Sequence, residues 1–282
     1  MQLQLSEREI IERAGLLPAF PSVVNELLQT LDDENATIGA LIQLVGRDPV
    51  ITARVLSIAN AAVMGSRIQR DLRDMQVAVS LIGLARVREI VLGVSLAEFS
   101  HESRMSHYFW EHSLAVGVAA QELARIAHVS PDYALVCGLL HDIGQLWMAR
   151  FHPLEFQMVR MVINAGDEGC DIQEAERAYF GVDHCFIGGV LARAWKLPEA
   201  VVAAIEHHHD EHPPGEKLVA VTHVAEALTN ALDLTRQEEA RVRYLSQTAC
   251  TLIGVDWTQD LNYLFGRIEA RARYLGKTFA PA

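Results

Sequence analysis

The chain has 282 residues, of which 50% are hydrophobic and 21% charged, so it is long enough for one large globular domain or two lobes. Its formal net charge of −12 argues against binding to nucleic acid or to an anionic membrane, because both depend on Lys and Arg. No basic N-terminal segment precedes an apolar run, and the four cysteines show no Cys-x-x-Cys spacing. We therefore expect a cytoplasmic protein with reduced thiols and with neither a nucleic-acid nor a membrane partner.

The first hundred residues predict a series of short helices with polar caps. Ser6 can cap a helix that Gly15 ends. The pair Asp48-Pro49 predicts another helix start, since Asp accepts from first-turn amides and Pro loses no hydrogen bond at the first position. Gly83 interrupts a later helix pair. No stretch of the sequence shows sustained strand alternation, so we predict an all-α fold.

From residue 106 onwards, histidines enter the apolar faces of the predicted helices. His112 precedes apolar residues by 3, 4, 7 and 11 positions, which places it on the buried stripe of its helix. After a longer excursion over 150–182, His184 lies on the apolar stripe of a helix. His208 and His209 continue the inner face of the next helix, whereas the adjacent His207 turns away.

The centre of this half is the His141-Asp142 pair, which follows an apolar helix and precedes Gly144, where we expect the backbone to loosen. An imidazole beside a carboxylate offers two ligands of different reach, which suits iron, manganese, zinc or nickel better than calcium. Glu226 lies on one stripe of a later helix, and the adjacent His223 remains open as a contributor. Cys185 is either a ligand or a core residue, and core packing is favoured.

Several imidazoles in one core are costly without a metal or hydrogen-bond acceptors. We therefore predict a shared site capable of binding a divalent metal; the alternative is a dry core in which the histidines only form hydrogen bonds. The architecture we predict is an N-terminal helical lobe at 1–100 packed on a helical bundle at 101–282. The candidate metal ligands are His112, His141, Asp142, His184, His208, His209 and Glu226.

Several short motifs resemble one known family. They are Leu17-Pro18-Ala19-Phe20-Pro21, Asp48-Pro49-Val50-Ile51, Leu56-Ser57-Ile58-Ala59-Asn60, Ile82-Gly83-Leu84, Phe109-Trp110-Glu111-His112-Ser113 and Trp195-Lys196-Leu197-Pro198. With the order of the histidines and acidic residues, they resemble the HDOD domain (HD-related output domain). This domain is related to the HD superfamily of metal-dependent phosphohydrolases and to its HD-GYP phosphodiesterase branch. The resemblance covers residues 10–235 or so, nearly the whole chain.

The resemblance implies a division of the ligands between two ions. The first ion would be held by His112, His141, Asp142 and Glu226, the last of which is normally Asp. The second would be held by His184, His208 and His209. Two adjacent ions bridged by Asp142 could hold a phosphate and generate hydroxide, and this makes Asp142 a candidate catalytic residue.

Three departures from the family pattern weaken the case for hydrolysis. The lysine expected shortly after the His-Asp pair is Gln145, a candidate catalytic position whose neutral amide offsets phosphate charge poorly. The carboxylate expected one turn before His112 is Tyr108, which argues against a third metal. No Gly-Tyr-Pro substrate loop follows His209.

Two functions remain open at this stage. The first is a bacterial signal-transduction output module that acts through contacts with signalling proteins in trans, with a metal or a nucleotide as a structural element. The second is a metal-dependent phosphohydrolase or phosphodiesterase acting on a nucleotide such as a cyclic dinucleotide. Gln145 and the missing loop favour the first, and the near-complete histidine set favours the second. We predict the first.

Overall fold

The protein is all-α throughout the part of the chain that the structure describes, which confirms the predicted fold class. The computed structural model describes residues 3–18, 20–32, 38–63, 74–103, 106–165, 171–210, 215–232, 234, 245–259 and 261–279, and no strand occurs in these ranges. None of the described helices has both the length and the hydropathy that a bilayer-crossing segment needs. The helices are α1 (Glu7–Ala14), α2 (Ser22–Asp32), α3 (Ile38–Gly46), α4 (Pro49–Val63), α5 (Met75–Ile82), α6 (Leu84–Glu102), α7 (His107–Ala127), α8 (Pro131–Leu140), α9 (Ile143–Phe151), α10 (Pro153–Ala165), α11 (Ile172–Phe180), α12 (His184–Ala194), α13 (Glu199–His207), α14 (Lys217–Ala231), α15 (Gln247–Ile253) and α16 (Asn262–Phe279).

Local sequence signals set several of the helix ends. The Ser6 hydroxyl accepts from the backbone N–H of Glu9 and caps α1. Asp48 Oδ1 accepts from the backbone N–H of Val50 at 2.8 Å, so the predicted start of α4 is confirmed. Gly83 separates α5 from α6 with a φ of 82°, a conformation that disfavours side chains with a Cβ. The excursion over 150–182 contains α10 and α11, which the sequence pattern had not resolved.

The chain forms two compact units. The larger comprises Met1–Pro18 and Met105–Thr278, and the smaller comprises Ala19–Arg104 and Phe279–Ala282. The predicted boundary between residues 100 and 101 lies a few residues before Met105, where the longer segment of the larger unit begins. The first 18 residues, which the sequence placed in the N-terminal lobe, group with the larger unit instead.

The N-terminal segment joins the larger unit through backbone bonds and one buried side chain. The N–H groups of Leu3 and Leu5 donate to the carbonyls of Tyr179 and Phe180, at 2.8 and 3.1 Å. Helix α1 packs on α12, and Ile10 is fully buried. Such pairing depends on residues more than 150 positions away, so no local pattern in the first 18 residues could reveal it.

Helix α7 lies at the centre of the larger unit and packs against α8 and α14. The α7–α8 crossing is close because two glycines meet there. A Cβ added at Gly138 would lie 2.6 Å from Gly117 Cα and 2.8 Å from the carbonyl carbon of Val116. Around the crossing, Ala119, Leu123 and further apolar side chains of α7 form a buried cluster with α14 and α15. This packing fixes the C-terminal end of α8, where the His141-Asp142 pair lies.

The smaller unit has its own hydrophobic core, which is built from helices α2 to α6. Leu27, Val45, Val55 and similar side chains are fully buried there. At its edge the rings of Phe20 and Phe99 meet edge to face, with centroids 5.7 Å apart. The candidate ligands all lie outside this unit.

Candidate metal centre

The larger unit brings all seven predicted ligands to one region. They come from the second turn of α7, the α8–α9 junction, the first residue of α12, the end of α13 and the middle of α14. The side chains of His141, His184 and His208 are completely buried. The ligand-bearing residues are His112, His141, Asp142, His184, His208, His209 and Glu226. The structure places them together, while their role as metal ligands remains a prediction.

Close approach of α9 to α12 brings Asp142 near His184. A Cβ at Gly144 would collide with the carbonyl oxygen of His184, and one at Gly188 would lie 2.6 Å from Ile205 Cγ2. Gly144 is therefore required for helix contact. It lies within the regular helix α9, so the expectation that it loosens the backbone is wrong.

Two buried histidines are fixed in orientation by backbone carbonyls. His141 Nδ1 lies 2.7 Å from the carbonyl oxygen of Gly138, and His208 Nδ1 lies 2.8 Å from that of Ile205. Because a carbonyl can only accept, each Nδ1 carries the hydrogen and donates it. The Nε2 atoms of both rings are thus left to face the centre.

The third ring is fixed by a carboxylate. His184 Nδ1 donates to Glu176 Oε2 at 2.6 Å, and the same oxygen accepts from the backbone N–H of His184 at 2.9 Å. Glu176 is fully buried on α11. A carboxylate behind an imidazole sets the tautomer and increases the basicity of the free nitrogen, as in many metal sites. Glu176 was missed from the sequence alone, because no helix was predicted within residues 150–182.

The three Nε2 atoms converge on one another and on the Asp142 carboxylate, so a proton or a metal ion is needed between them. His184 Nε2 and His208 Nε2 are 3.3 Å apart, and His141 Nε2 lies 3.2 Å from Asp142 Oδ2. His141 Nε2 is buried and has no well-formed hydrogen bond within the described chain. Lone pairs at such distances repel one another unless a proton or a metal ion lies between them. The donor set of imidazoles and a carboxylate fits a first-row divalent metal.

Asp142 connects two groups of ligands through its two oxygens. Oδ2 lies 3.2 Å from His141 Nε2 and 3.8 Å from His112 Nε2. Oδ1 lies 3.3 Å from His184 Nε2 and 3.8 Å from His208 Nε2. A carboxylate placed in this way can bridge two adjacent ions.

The remaining predicted ligands complete the two groups. Glu226 offers an oxygen that lies within 4.8 Å of ligand nitrogens of both His112 and His141. Its Oε2 is also 3.8 Å from His209 Nδ1. The ring of His209 lies against that of His208 with centroids 4.2 Å apart and the ring planes tilted by 42°. His207, predicted to turn away, points outward and bonds Asp210 Oδ2 at 2.8 Å.

The electrostatics favour the neutral form, which is the form that binds metals, at His112, His208 and His209. Burial opposes charge on His184, but Cys185 and Glu176 raise its pKa well above the ordinary value. Burial and the neighbouring His209 lower the pKa of His208 to about 3, and burial and His184 do the same for His209. Burial and His141 lower the pKa of His112. Burial also opposes charge on the His141–Asp142 pair, but their mutual attraction raises the pKa of the imidazole and holds that of the carboxyl well below its usual range.

Gln145 contacts the candidate ligand Asp142. Its Nε2 donates to Asp142 Oδ1 at 3.1 Å, so the neutral amide is one residue layer behind the ligand. Tyr108, where the family pattern has a carboxylate, stacks on His112 with ring centroids 6.1 Å apart. The segment after His209, where a Gly-Tyr-Pro loop would be expected, includes residues 211–214, which lie outside the described residues.

His223, which the sequence left open, supports the centre from behind. Its Nδ1 donates to the carbonyl of His208 at 2.7 Å, and its Nε2 accepts from the backbone N–H of Ser246 at 3.0 Å. Both ring nitrogens are therefore engaged. His223 positions the His208 backbone and does not offer a lone pair to a metal.

Cysteine placement separates Cys185 from the other thiols. Cys137 and Cys250 are buried and free in the helical core, and Cys170 lies outside the described residues. Cys185 Sγ lies with the nitrogens of His184, His208 and His209, all within 4.8 Å of one another. Burial raises the pKa of the Cys185 thiol to about 11.

An all-helical unit with a His-Asp pair at a helix junction, surrounded by histidines from neighbouring helices, defines a protein of the HD class with a metal-capable centre. The family model of the HDOD domain matches residues 17–211, which is more than half of the chain. The chain therefore belongs to the HDOD domain family, and the predicted family is confirmed.

Comparison with known proteins found similar chains and structures with different descriptions. A candidate phosphohydrolase from Shewanella amazonensis SB2B is 25% identical, covers 96% of this chain and 98% of its own, and superposes with a TM-score of 0.70. A candidate signal transduction protein from Marinobacter aquaeolei VT8 is 20% identical over 99% of this chain and 61% of its own, with a TM-score of 0.72, and shares the fold. Ribonuclease Y from Acidothermus cellulolyticus is 27% identical over 193 residues, 67% of this chain and 33% of that enzyme. The chain spans less than half the length of the curated relatives that it matches.

Proposed function

We propose that this protein is a signal-transduction output module of the HDOD type that carries a buried metal centre and acts through contacts with signalling proteins in trans. Family membership supports the regulatory role. The observation that carries the proposal is Gln145, whose amide donates to Asp142 Oδ1 where HD-type hydrolases have a lysine. A neutral amide provides little stabilisation for a transferring phosphate.

A metal in this centre would connect the helices of the larger unit. The candidate ligands come from α7, the α8–α9 junction, α12, α13 and α14, so an ion bound by them would hold these elements in one arrangement. Since the ion binds the folded state, its binding free energy adds to folding stability. The residues around the centre orient the imidazoles and exclude water. Such a unit is suited to presenting a fixed surface to a partner.

A second function is favoured by the placement of Asp142. Its two oxygens face two separate ligand groups, an arrangement suited to a pair of ions that would act as Lewis acids on a phosphate. The alternative is therefore a metal-dependent phosphohydrolase or phosphodiesterase acting on a nucleotide such as a cyclic dinucleotide. One relative is described as a candidate phosphohydrolase and another is named a ribonuclease. The net charge of −12 disfavours RNA as the ligand here.

The deciding experiment measures metal content and hydrolysis in the same samples. Untagged protein is analysed by mass spectrometry of the digested sample, as wild type and as His141→Ala and Asp142→Ala variants. The control is His207→Ala, whose side chain points outward. We expect one or two equivalents of iron, manganese, zinc or nickel in the wild type and control, and a loss in both centre variants.

Hydrolysis then separates the two functions. Metal-loaded wild type and His141→Ala protein are assayed on bis(p-nitrophenyl) phosphate and on a cyclic dinucleotide. The output-module proposal expects the same background rate for both proteins. Hydrolysis by the wild type that His141→Ala abolishes would establish the enzyme and overturn the non-catalytic function. Absence of metal after incubation with excess would overturn the metal centre itself.

A further inference from the structure

The second ligand group contains a sulfur atom. Cys185 follows His184 in the first turn of α12, and its side chain is buried. Its Sγ lies 3.5 Å from His184 Nε2 and 4.0 Å from His208 Nε2. His184, Cys185, His208 and His209 each offer one ligand atom, and these four atoms lie within 4.8 Å of one another.

The separations are close to the edges of a tetrahedral site. With a metal–nitrogen distance of about 2.0 Å and a metal–sulfur distance of about 2.3 Å, tetrahedral geometry gives edges of about 3.3 Å between nitrogens and about 3.6 Å between nitrogen and sulfur. The observed His184–His208 and His184–Cys185 distances are 3.3 and 3.5 Å. The Cys185–His208 edge is longer, at 4.0 Å to Nε2, and the sulfur lies 3.8 Å from His208 Nδ1.

Helix α11 supports the histidine and the cysteine as a pair. Glu176 accepts from His184 Nδ1, and Gln173, one turn earlier on the same face, donates from Nε2 to Cys185 Sγ at 3.4 Å. The same amide is 3.3 Å from Asp183 Oδ2, so it is held in place. An acceptor behind the imidazole and a donor to the sulfur are the outer contacts that orient a ligating histidine and stabilise a thiolate. A cysteine that only fills a core needs no hydrogen-bond donor to its sulfur.

We propose that Cys185 Sγ is the fourth protein ligand of this group, which makes it a closed site of one cysteine and three histidines suited to zinc. The inference rests on the metal centre proposed above. Four protein ligands complete the tetrahedral coordination of zinc and leave no position for water or substrate, as in structural zinc sites. Asp142 then serves as a ligand only in the group of His112 and His141, although its Oδ1 also lies 3.3 Å from His184 Nε2. A closed site disfavours two-metal hydrolysis.

Cobalt(II) spectroscopy tests the sulfur ligand without an activity assay. Purified protein is loaded with Co²⁺, and its absorption is recorded for the wild type, Cys185→Ala and the control Cys250→Ala, which removes a buried thiol outside the centre. We expect a near-ultraviolet thiolate-to-cobalt charge-transfer band in the wild type and control, absent in Cys185→Ala. We also expect zinc affinity to fall at least about 10-fold in that variant.

A measurement on the unmodified protein covers the case in which Cys185→Ala does not fold. X-ray absorption at the zinc edge of wild-type protein should show sulfur at about 2.3 Å besides nitrogen at about 2.0 Å. Visible d–d bands without the charge-transfer band, or zinc surrounded only by nitrogen and oxygen, would overturn the sulfur ligand and leave the metal centre intact. Failure to bind either metal would overturn both proposals.

Discussion

At the scale of the residue, the centre depends on which nitrogen of each imidazole carries the hydrogen. Gly138 O, Ile205 O and Glu176 Oε2 each hold an Nδ1–H, and so three Nε2 lone pairs point inward. This polar arrangement has a cost in a buried core, because converging lone pairs repel one another unless a proton or a metal ion lies between them. The cost is the physical reason to expect a bound metal.

Glu176 offers a test of this orientation. Glu176→Gln keeps an oxygen that can accept from His184 Nδ1 but removes the negative charge that makes the imidazole a stronger ligand. We expect zinc affinity to fall by about 10-fold, towards the lower end of the range for outer-contact substitutions. The measurement is competition with a chromophoric chelator.

Glu174→Gln is the matched control for that variant. Glu174 lies two residues earlier on the same helix, is exposed, and does not contact the centre. Its substitution should leave zinc affinity unchanged. Equal affinity of Glu176→Gln and wild type would show that Glu176 has no role in orienting a ligand.

At the scale of the element, close helix crossings position the ligands. Gly117 and Gly138 let α7 approach α8, and Gly144 lets α9 approach α12. These contacts involve backbone atoms, which cannot rotate away from an added methyl group. Because His141, His184 and His208 lie at the ends of these packed helices, the crossings bring the three side chains together.

The α7–α8 crossing predicts a large effect of one methyl group. Gly138→Ala would place Cβ 2.6 Å from Gly117 Cα, so we expect it to lower the free energy of unfolding by about 1–3 kcal/mol or more. Gly266→Ala on α16 is the control, because a Cβ there meets nothing within 4 Å. It should raise stability by about 0.5–1 kcal/mol through helix propensity. Urea denaturation measures the stability of both variants. A Gly138→Ala protein with the same urea midpoint as wild type would contradict the close crossing.

A buried carboxylate links α7 to α16. Glu122 Oε1 lies 2.7 Å from Arg125, Glu122 Oε2 lies 2.8 Å from Arg267, and the carboxylate also pairs with Arg271. Burial alone would raise the pKa of Glu122, but these three guanidinium groups, above all Arg271, hold it below its ordinary value of 4.5. Since the pKa in the folded state is the lower one, the stabilisation is present above pH 4.5 and is lost as the pH falls below that value.

The pH dependence of one variant tests this link. Glu122→Gln should lower the free energy of unfolding by about 1–3 kcal/mol at pH 7, and the difference from wild type should shrink as the pH falls from 4.5 towards 3. Glu269→Gln, at an exposed pair with Arg273, should change stability by less than about 1 kcal/mol at either pH. Urea denaturation at both pH values gives the comparison. A pH-independent Glu122→Gln effect would contradict the assigned pKa direction.

At the scale of the whole molecule, the larger unit is assembled from two distant stretches of the chain. Met1–Pro18 groups with Met105–Thr278, and the intervening residues form the smaller unit. All four tryptophans lie within the larger unit. Tryptophan fluorescence therefore reports on that unit, in which the candidate metal ligands lie.

The N-terminal contribution can be measured with two neighbouring isoleucines. Ile10 is fully buried and Ile11 is 47% exposed on the same helix. Ile10→Ala should lower the unfolding free energy seen by tryptophan fluorescence by about 2–5 kcal/mol. Ile11→Ala should change it by no more than about 0.5 kcal/mol. Similar small effects of both would show that α1 does not stabilise the larger unit.

The sequence alone determined the helical class, several helix ends and the set of inward-facing residues. Caps such as Ser6 and Asp48 act through hydrogen bonds to amides two or three residues away, so a local pattern reveals them. The inward direction of His112, His184 and His208 follows from helical periodicity, which is also local. The order of the short motifs along the chain was enough to identify the family.

Only the tertiary structure decided which groups meet. Glu176 and Gln173 contact His184 and Cys185 from a different helix. Gly144 is needed because the His184 backbone passes over it. The first 18 residues join the larger unit. These are contacts between elements whose packing no short pattern encodes, because helix faces of similar character can pair in many ways. Periodicity shows which face is buried, and packing decides what that face contacts.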